Sequence, residues 1–228
     1  MLEDSKTPYE NTSDNLYGPT GTMLCFRGTP ENIKVLDNTV FPVFFPPAIH
    51  HTPADGGEEV IINQVPACMQ YIGRILGYTP VTPAEQARAD CVLLNANDYI
   101  AEGRRTFHPT KDSMSYKDQQ EEGDKVSKEW TESRMLMWLA YFDKICSKNS
   151  PPNSPIAGGP NVTYADFALF HVLDATVFQF DNEKYNYAWT KADISALKEY
   201  YEWMRQRPNL QAYFASDRCP KFAGDSMM

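Results

Sequence analysis

Positive charge is scarce in this chain: 21 Lys and Arg stand against 30 Asp and Glu, for a net charge of −9. Nothing in that balance neutralises a run of phosphates, so nucleic acid and anionic membrane surfaces are excluded as expected partners. Cysteine is sparse as well. Cys25, Cys68, Cys91, Cys146 and Cys219 are odd in number, scattered and never at CxxC spacing, and the four histidines form no ligand pattern with them. Structural zinc, a secreted disulfide framework and thioredoxin-type redox chemistry are all disfavoured, and free thiols of a cytoplasmic protein are the simpler expectation. The N-terminus, Met-Leu-Glu-Asp-Ser-Lys, lacks an apolar h-region, and no hydrophobic run reaches the length of a membrane span. The sequons at Asn11 and Asn161 are then chance occurrences. What is present is ordinary globular material, 42% hydrophobic and 22% charged over 228 residues, enough for one large domain or two small ones.

The chain divides near residue 80, with short β-like runs and prolines before it and helical periodicities after it. Val40 to Phe45 is a β-branched and aromatic run that meets Pro46-Pro47-Ala48-Ile49. A Thr-Pro-Ala-Asp-Gly-Gly turn then leads to Glu59-Val60-Ile61-Ile62, which together predict a β-hairpin. Pro66 suits the first turn of a following helix, Cys68, Met69, Ile72, Ile75 and Leu76 recur at helical period, and Gly77 ends it.

Thr82-Pro83-Ala84-Glu85 opens the second part with a capping box, and Ala87, Cys91 and Leu94 are read as the buried stripe of the helix it starts. A polar stretch, about His108 to Asp124, precedes a long helical segment carrying Val126, Trp130, Met137 and Tyr141 on one side. Lys148 to Pro160 is a loop by composition. At Val162-Thr163-Tyr164-Ala165-Asp166-Phe167, Thr163 and Asp166 have capping-box spacing and Val162 and Phe167 that of a hydrophobic staple. From Phe167 to Phe180 the sequence is apolar almost all round, which predicts a helix buried on every side. Thr190-Lys191-Ala192-Asp193 repeats the capping pattern before a helix with Ile194, Leu197, Tyr201 and Met204, stopped by Pro208.

In order and spacing these segments resemble the cytosolic glutathione transferase family. Phe45-Pro46-Pro47-Ala48-Ile49, Ile61 to Val65 and Tyr71-Ile72-Gly73-Arg74 look like its cis-proline strand, its Gln-Ser/Thr turn and its third helix. Val162 to Phe170 looks like its buried capping-box helix, and Arg207 to Leu210 and Tyr213 to Ser216 match its last helices. The resemblance implies an α+β chain, with an incomplete thioredoxin-like α/β domain over 1–79 and an all-helical bundle over 82–228. It sets Leu2 to Glu10 at the end of the family's first helix and the start of its second strand. On that alignment the first strand and most of the first helix, roughly 20 to 30 residues at ordinary element lengths, have no counterpart. The first eighty residues are then expected to be less stable than the helical part.

Glutathione transfer needs the tripeptide's thiol as thiolate, because the thiolate is the nucleophile. The family supplies a Tyr, Ser or Cys at the end of the first strand to hold it. Tyr9 and Tyr17 are the only early tyrosines and neither is assigned that role, so no catalytic residue is named. For binding, the resemblance implies Pro46, Pro47, Gln64, Val65 and Asp98. Motif register favours Pro47 as the cis-proline, although Pro46 before it has no N–H to pair with a ligand backbone. A rigid strand start without a cis bond is the alternative. Gln64 can bond the γ-glutamyl carboxylate, whereas Val65 replaces the expected hydroxyl residue, a loss of ~1 to 3 kcal/mol. Asp98 extends the Ala87, Cys91, Leu94 stripe, so a carboxylate on a buried face is predicted there. The resemblance has it reach across a dimer to the γ-glutamyl amine, with an ion pair to Arg104 or Arg105 as the alternative. Asp166 is read as structural, His50, His51 and His108 as structural or solvated, and Cys68 as packed.

The implied function is conjugation of glutathione, as co-substrate with no cofactor or metal, to a small hydrophobic electrophile by a cytoplasmic homodimer. A non-catalytic binding or dimerisation protein of the same fold is the alternative.

Overall fold

The hairpin expected after the proline pair forms. The computed structural model describes residues 1–11, 47–111, 114–149, 154–222 and 224. In it β1 (Ala48–His51) pairs antiparallel with β2 (Val60–Asn63), Ala48 facing Asn63 and His51 facing Val60. The Val40 to Phe45 run, Pro46, Tyr17 and Cys25 lie outside the described residues.

Before the hairpin, α1 (Leu2–Ser5) is a single turn closed by Lys6 in the left-handed region at φ 57°. After it comes α2 (Val65–Leu76), with Pro66 in its first turn and Gly77 as a left-handed C-cap at φ 78°. Glycine suits that conformation because it has no Cβ to clash. Then follow α3 (Pro83–Arg104), a 3-10 turn (Tyr116–Gln119), α4 (Gln120–Glu132), α5 (Arg134–Asn149), α6 (Tyr164–Phe180), α7 (Ala188–Lys191), α8 (Ser195–Arg205) and α9 (Pro208–Phe214). This is a short two-stranded sheet followed by a helical bundle, the α+β class expected. Among the described residues no helix is long and apolar enough to cross a membrane.

α6 is the axis of the bundle. Residues from Tyr164 to Phe180 are buried on nearly every side, with His171 and Phe178 (52% exposed) as the outward exceptions. Asp166 is fully buried in its first turn. Its carboxylate accepts from the Thr163 N–H (2.7 Å), the Thr163 hydroxyl (2.9 Å), the Ile156 N–H (2.7 Å) and the Tyr200 hydroxyl (2.9 Å). Burial raises the Asp166 pKa, while the four donors pull against that rise. The structural reading of Asp166 holds, with two more partners than its spacing foretold.

Three patterns resolve differently from the sequence reading. On α3 the core stripe is Ala89, Val92, Leu93, Ala96, Tyr99 and Gly103, and Ala87, Cys91, Leu94 and Asp98 face outward, Leu94 at 52% exposure. The helix carries two apolar stripes, and the one with Val92, Leu93 and Tyr99 buries more area against α6. The long segment after the polar stretch is broken at Ser133 (φ −133°, ψ −86°), whose hydroxyl donates to the Glu129 carbonyl at 2.6 Å and competes with the helical ladder. On α5 beyond the break, Met135, Leu139, Phe142 and Cys146 are buried while Met137 and Tyr141 look out. Thirdly, the cap of α8 is not local. Asp143 of α5 accepts the Leu197 N–H at 2.9 Å, and Thr190 instead gives its N–H and hydroxyl to Asp181.

The two parts of the chain meet at close contacts. A Cβ on Gly73 of α2 would lie 2.7 Å from the Tyr164 ring, so only glycine allows this approach without movement. Asp90 of α3 accepts from both Gln70 (2.7 Å) and Tyr164 (2.6 Å). The Asp4 carboxylate of α1, 8% exposed, receives Arg207 bidentately (2.8 and 2.6 Å) and the Tyr78 hydroxyl (2.7 Å). Burial pushes this carboxyl's pKa up, but the hydrogen bonds from Arg207 and Tyr78 outweigh it and hold the group below its ordinary value.

Candidate functional site

β2 ends at Asn63 and α2 begins at Val65, which leaves one residue to turn the chain from strand to helix. Gln64 makes that turn at φ 74° and ψ 119°, a conformation that costs a non-glycine residue about 1 to 3 kcal/mol. The β1–β2 register brings Pro47, just outside the ladder, opposite Gln64 at the same end of the hairpin. Pro47 and Gln64 are both exposed and Val65 is half-buried. Three of the five sequence-predicted residues are thus drawn to one hairpin end. Pro46 lies outside the described residues.

At this end the first turn of α2 is sparing with donors. Pro66 has no N–H, and the Cys68 N–H already goes to the Gln64 carbonyl at 2.9 Å. The Val65 and Ala67 N–H groups donate to nothing among the described residues. They point a weak positive potential at whatever occupies the helix start. That turn carries neither acidic nor basic side chains.

Neither the thiol of α2 nor the early phenol Tyr9 is poised for thiol chemistry. Cys68 is buried, its thiol 3.7 Å from the Ile62 carbonyl, and burial raises its pKa. Tyr9 donates its hydroxyl to Glu3 at 2.7 Å, and that bond raises its pKa. His50 pairs with Glu59, and His51 with the Tyr71 hydroxyl at 2.8 Å. His108 is in hydrogen-bond contact with the Met114 carbonyl (3.1 Å), in a loop organised by buried Gln119, which bonds five backbone groups. These histidines are structural or solvated, as read.

Asp98 is elsewhere. It lies on the outward face of α3 and lines a groove of about 630 Å³ with Glu102, Arg105, Trp130, Arg134 and Trp138, a set that includes no residue of the hairpin end. The buried position expected for it is therefore corrected: its carboxylate is exposed. The alternative ion pair with Arg104 or Arg105 does not form among the described residues. Nearby, Glu102 holds Arg134 through two hydrogen bonds (3.0 and 2.6 Å), and the guanidinium in turn lowers the Glu102 pKa. Beside the groove, Cys91, Leu94, Met137 (61% exposed) and Tyr141 form an outward apolar face on α3 and α5, tied by the Asn95 amide to the Tyr141 hydroxyl at 2.8 Å. A second cleft of about 500 Å³, between Gly77, Pro155, Asn161, Trp203 and Arg207, contains none of the binding residues predicted from the sequence. Among the described residues no cluster of His, Cys, Asp or Glu is arranged to hold a metal.

Sequence reasoning named Gln64 and missed its backbone. The signal was there, since a strand run ending at residue 62 or 63 and a proline at 66 leave no room for a loop. The Asp4–Arg207 pair, 203 positions apart, offered no local signal at all.

Comparison with known proteins bears on the fold and the family. By sequence, no curated protein matches. Solved structures do match. The Pi-class glutathione S-transferase of Onchocerca volvulus is 22% identical at a TM-score of 0.53, over 70% of this chain and 66% of that one. The chain thus spans just under two thirds of that relative. The glutathione S-transferase from Ascaris lumbricoides is 18% identical at a TM-score of 0.60, over 96% of this chain and 89% of that one. FzlA from C. crescentus is 17% identical at 0.56, over 99% and 90%. At such identities these likenesses speak for the fold alone. The family model of the glutathione S-transferase C-terminal domain matches residues 104–217, half of the chain. With the helical bundle it describes built around α6, this protein belongs to the glutathione S-transferase family.

Proposed function

We propose that the chain binds glutathione at the hairpin end formed by Pro47, Gln64 and Val65, with Pro46 as the further binding residue expected from the sequence, and that it conjugates the thiol to small hydrophobic electrophiles. Glutathione is the co-substrate, and no resident cofactor or metal takes part. The observation that carries this reading is the strained Gln64. Gln64 is held at φ 74° and ψ 119° on the exposed step from strand to helix, and such strain concentrates at ligand sites. The Gln64 amide and the Val65 N–H face the γ-glutamyl end, while the chain entering β1 at Pro47 aligns the tripeptide backbone as an added strand would.

Asp98 acts from a second copy of the chain in this reading. Its exposure, in a groove that no residue of the hairpin end lines, suits a carboxylate that meets the ligand amine of a partner. The outward face with Leu94, Met137 and Tyr141 is the surface such a copy covers. Residues 1–79 hold the ligand and 82–228 form the helical domain of a cytoplasmic homodimer.

A second reading, a non-catalytic glutathione-binding or dimerisation protein, is favoured by the Tyr9 hydroxyl, which is committed to Glu3 and so is withheld from a thiolate. Calorimetric titration with glutathione, paired with a chlorodinitrobenzene conjugation assay, separates the two. Weak, saturable binding with measurable conjugation is expected. Binding without conjugation selects the carrier reading, and no binding overturns both glutathione readings and leaves dimerisation alone.

A further inference from the structure

The groove beside Asp98 holds polar groups that the described residues leave unanswered. At about 630 Å³ it falls within the range of small-molecule sites, roughly 300 to 1,000 Å³. Two indoles supply its apolar wall. Trp130 is 7% exposed, and its buried Nε1–H has no partner among the described residues. The Trp138 Nε1–H is buried and unbonded too. It helps keep Glu102 charged but falls outside hydrogen-bond geometry, and both Glu102 oxygens already accept from Arg134. A buried indole N–H usually finds an acceptor, and both of these still lack one. The groove shares no residue with the outward face of Leu94, Met137 and Tyr141, and it extends to Arg105 at the end of α3.

Charge at the rim selects further. Glu102 and Arg134 neutralise one another, with the guanidinium 5.7 Å from the Trp138 ring centre. Asp98, Glu129 and Arg105 are exposed and form no ion pair among the described residues, which leaves the groove with a surplus of negative charge. That surplus repels a carboxylate or sulfonate and attracts an ammonium. From the unanswered indole N–H groups and this charge, we infer that the groove binds a flat aromatic molecule with a carbonyl acceptor at its buried end and an ammonium at its open end. The ring lies against the indoles, the carbonyl accepts from Trp130, and Glu129 faces the ammonium. No residue of the hairpin end takes part, so this site does not depend on glutathione binding there.

The test titrates the full chain, without glutathione, with three probes of one size: an aminoethyl coumarin, its carboxymethyl counterpart, and an aminoethyl naphthalene that has no carbonyl. Calorimetry gives the affinities, and quenching of tryptophan fluorescence reports contact with the indoles. The cationic coumarin is expected to bind about tenfold more tightly than the anionic one and about fivefold more tightly than the naphthalene. Glu129→Gln, at an exposed position, is expected to weaken both ammonium probes about threefold and leave the anionic coumarin no weaker. Trp130→Phe, which removes the N–H and keeps a ring, is expected to erase the advantage of coumarin over naphthalene. Should that variant fail to fold, the probe comparison on the unmodified protein and Glu129→Gln still decide. An anionic coumarin that binds as tightly as the cationic one overturns the inference, as does a naphthalene that matches the coumarin. Binding that Glu129→Gln leaves unchanged places the probes elsewhere and overturns it too, and so does the absence of binding at millimolar probe.

Discussion

At the start of α6 the buried polar side chains are paired: Asp166 collects four donors in a fully buried site, and the Tyr164 N–H goes to the Tyr78 carbonyl at 3.0 Å. At the start of α2 the account stays open. Gln64 is strained and exposed, two N–H groups are unspent, and a third donor is absent because residue 66 is proline. The start of α6 lies against the far end of α2, where Gly73 rests on the Tyr164 ring. A buried helix start without partners would be ruinous, so α6 is closed. An exposed one can leave donors to water, or to a ligand, so α2 is where binding can be built.

The largest expected effect comes from breaking the closed start. Asp166→Ala strands the Ile156 and Thr163 N–H groups and the Tyr200 hydroxyl in the core, and a loss of ~4 kcal/mol or more is expected. Urea unfolding measures it, and a loss under about 1 kcal/mol would mean the network is not held together as described.

A second buried carboxylate, tied to the α6 start through Tyr78, is the intermediate case. Asp4→Ala removes the partner of half-buried Arg207, and a cost of about 3 kcal/mol is expected in the same assay. This pair also has a pH signature. The folded-state pKa of Asp4 lies below its unfolded value, so its stabilisation is complete above the unfolded carboxyl range and is lost as pH falls through the folded pKa. Amide exchange of α1 and α9 is expected to quicken in acid before that of α6. Equal protection of all three down to the global transition would count against Asp4 as their clasp.

The smallest effect has the opposite sign. Gln64→Gly frees the turn from a conformation that glycine tolerates, and a gain of about 1 kcal/mol is expected together with weaker glutathione binding. A variant that is destabilised, or that binds glutathione as before, would remove the contrast between the two starts.

Much of the architecture was legible because it is local. Thr82 with Glu85, and Thr163 with Asp166, announce helix starts through residues three apart, and both sets of bonds form. The hairpin, Pro66 and Gly77 were readable for the same reason. Periodicity failed where a helix offered two apolar stripes. On α3, Leu94 and Cys91 are as hydrophobic as a core position requires, and only the fit against α6 chose Val92, Leu93 and Tyr99 instead. Asp98 was recognised as a candidate and assigned to the wrong face by that same error.

Residue order alone settles where α3 and α6 start, that a hairpin precedes α2, and that Gln64 falls at the short step from strand to helix. Those outcomes depend on backbone sterics and on hydrogen bonds a few residues long. It could not settle which stripe of α3 is buried, that Asp143 caps α8 across 54 positions, or that Asp4 is clasped by Arg207 across 203. Burial and long-range pairing are properties of surfaces brought together by the fold, and a helix taken alone carries no preference among faces that water and protein would both accept.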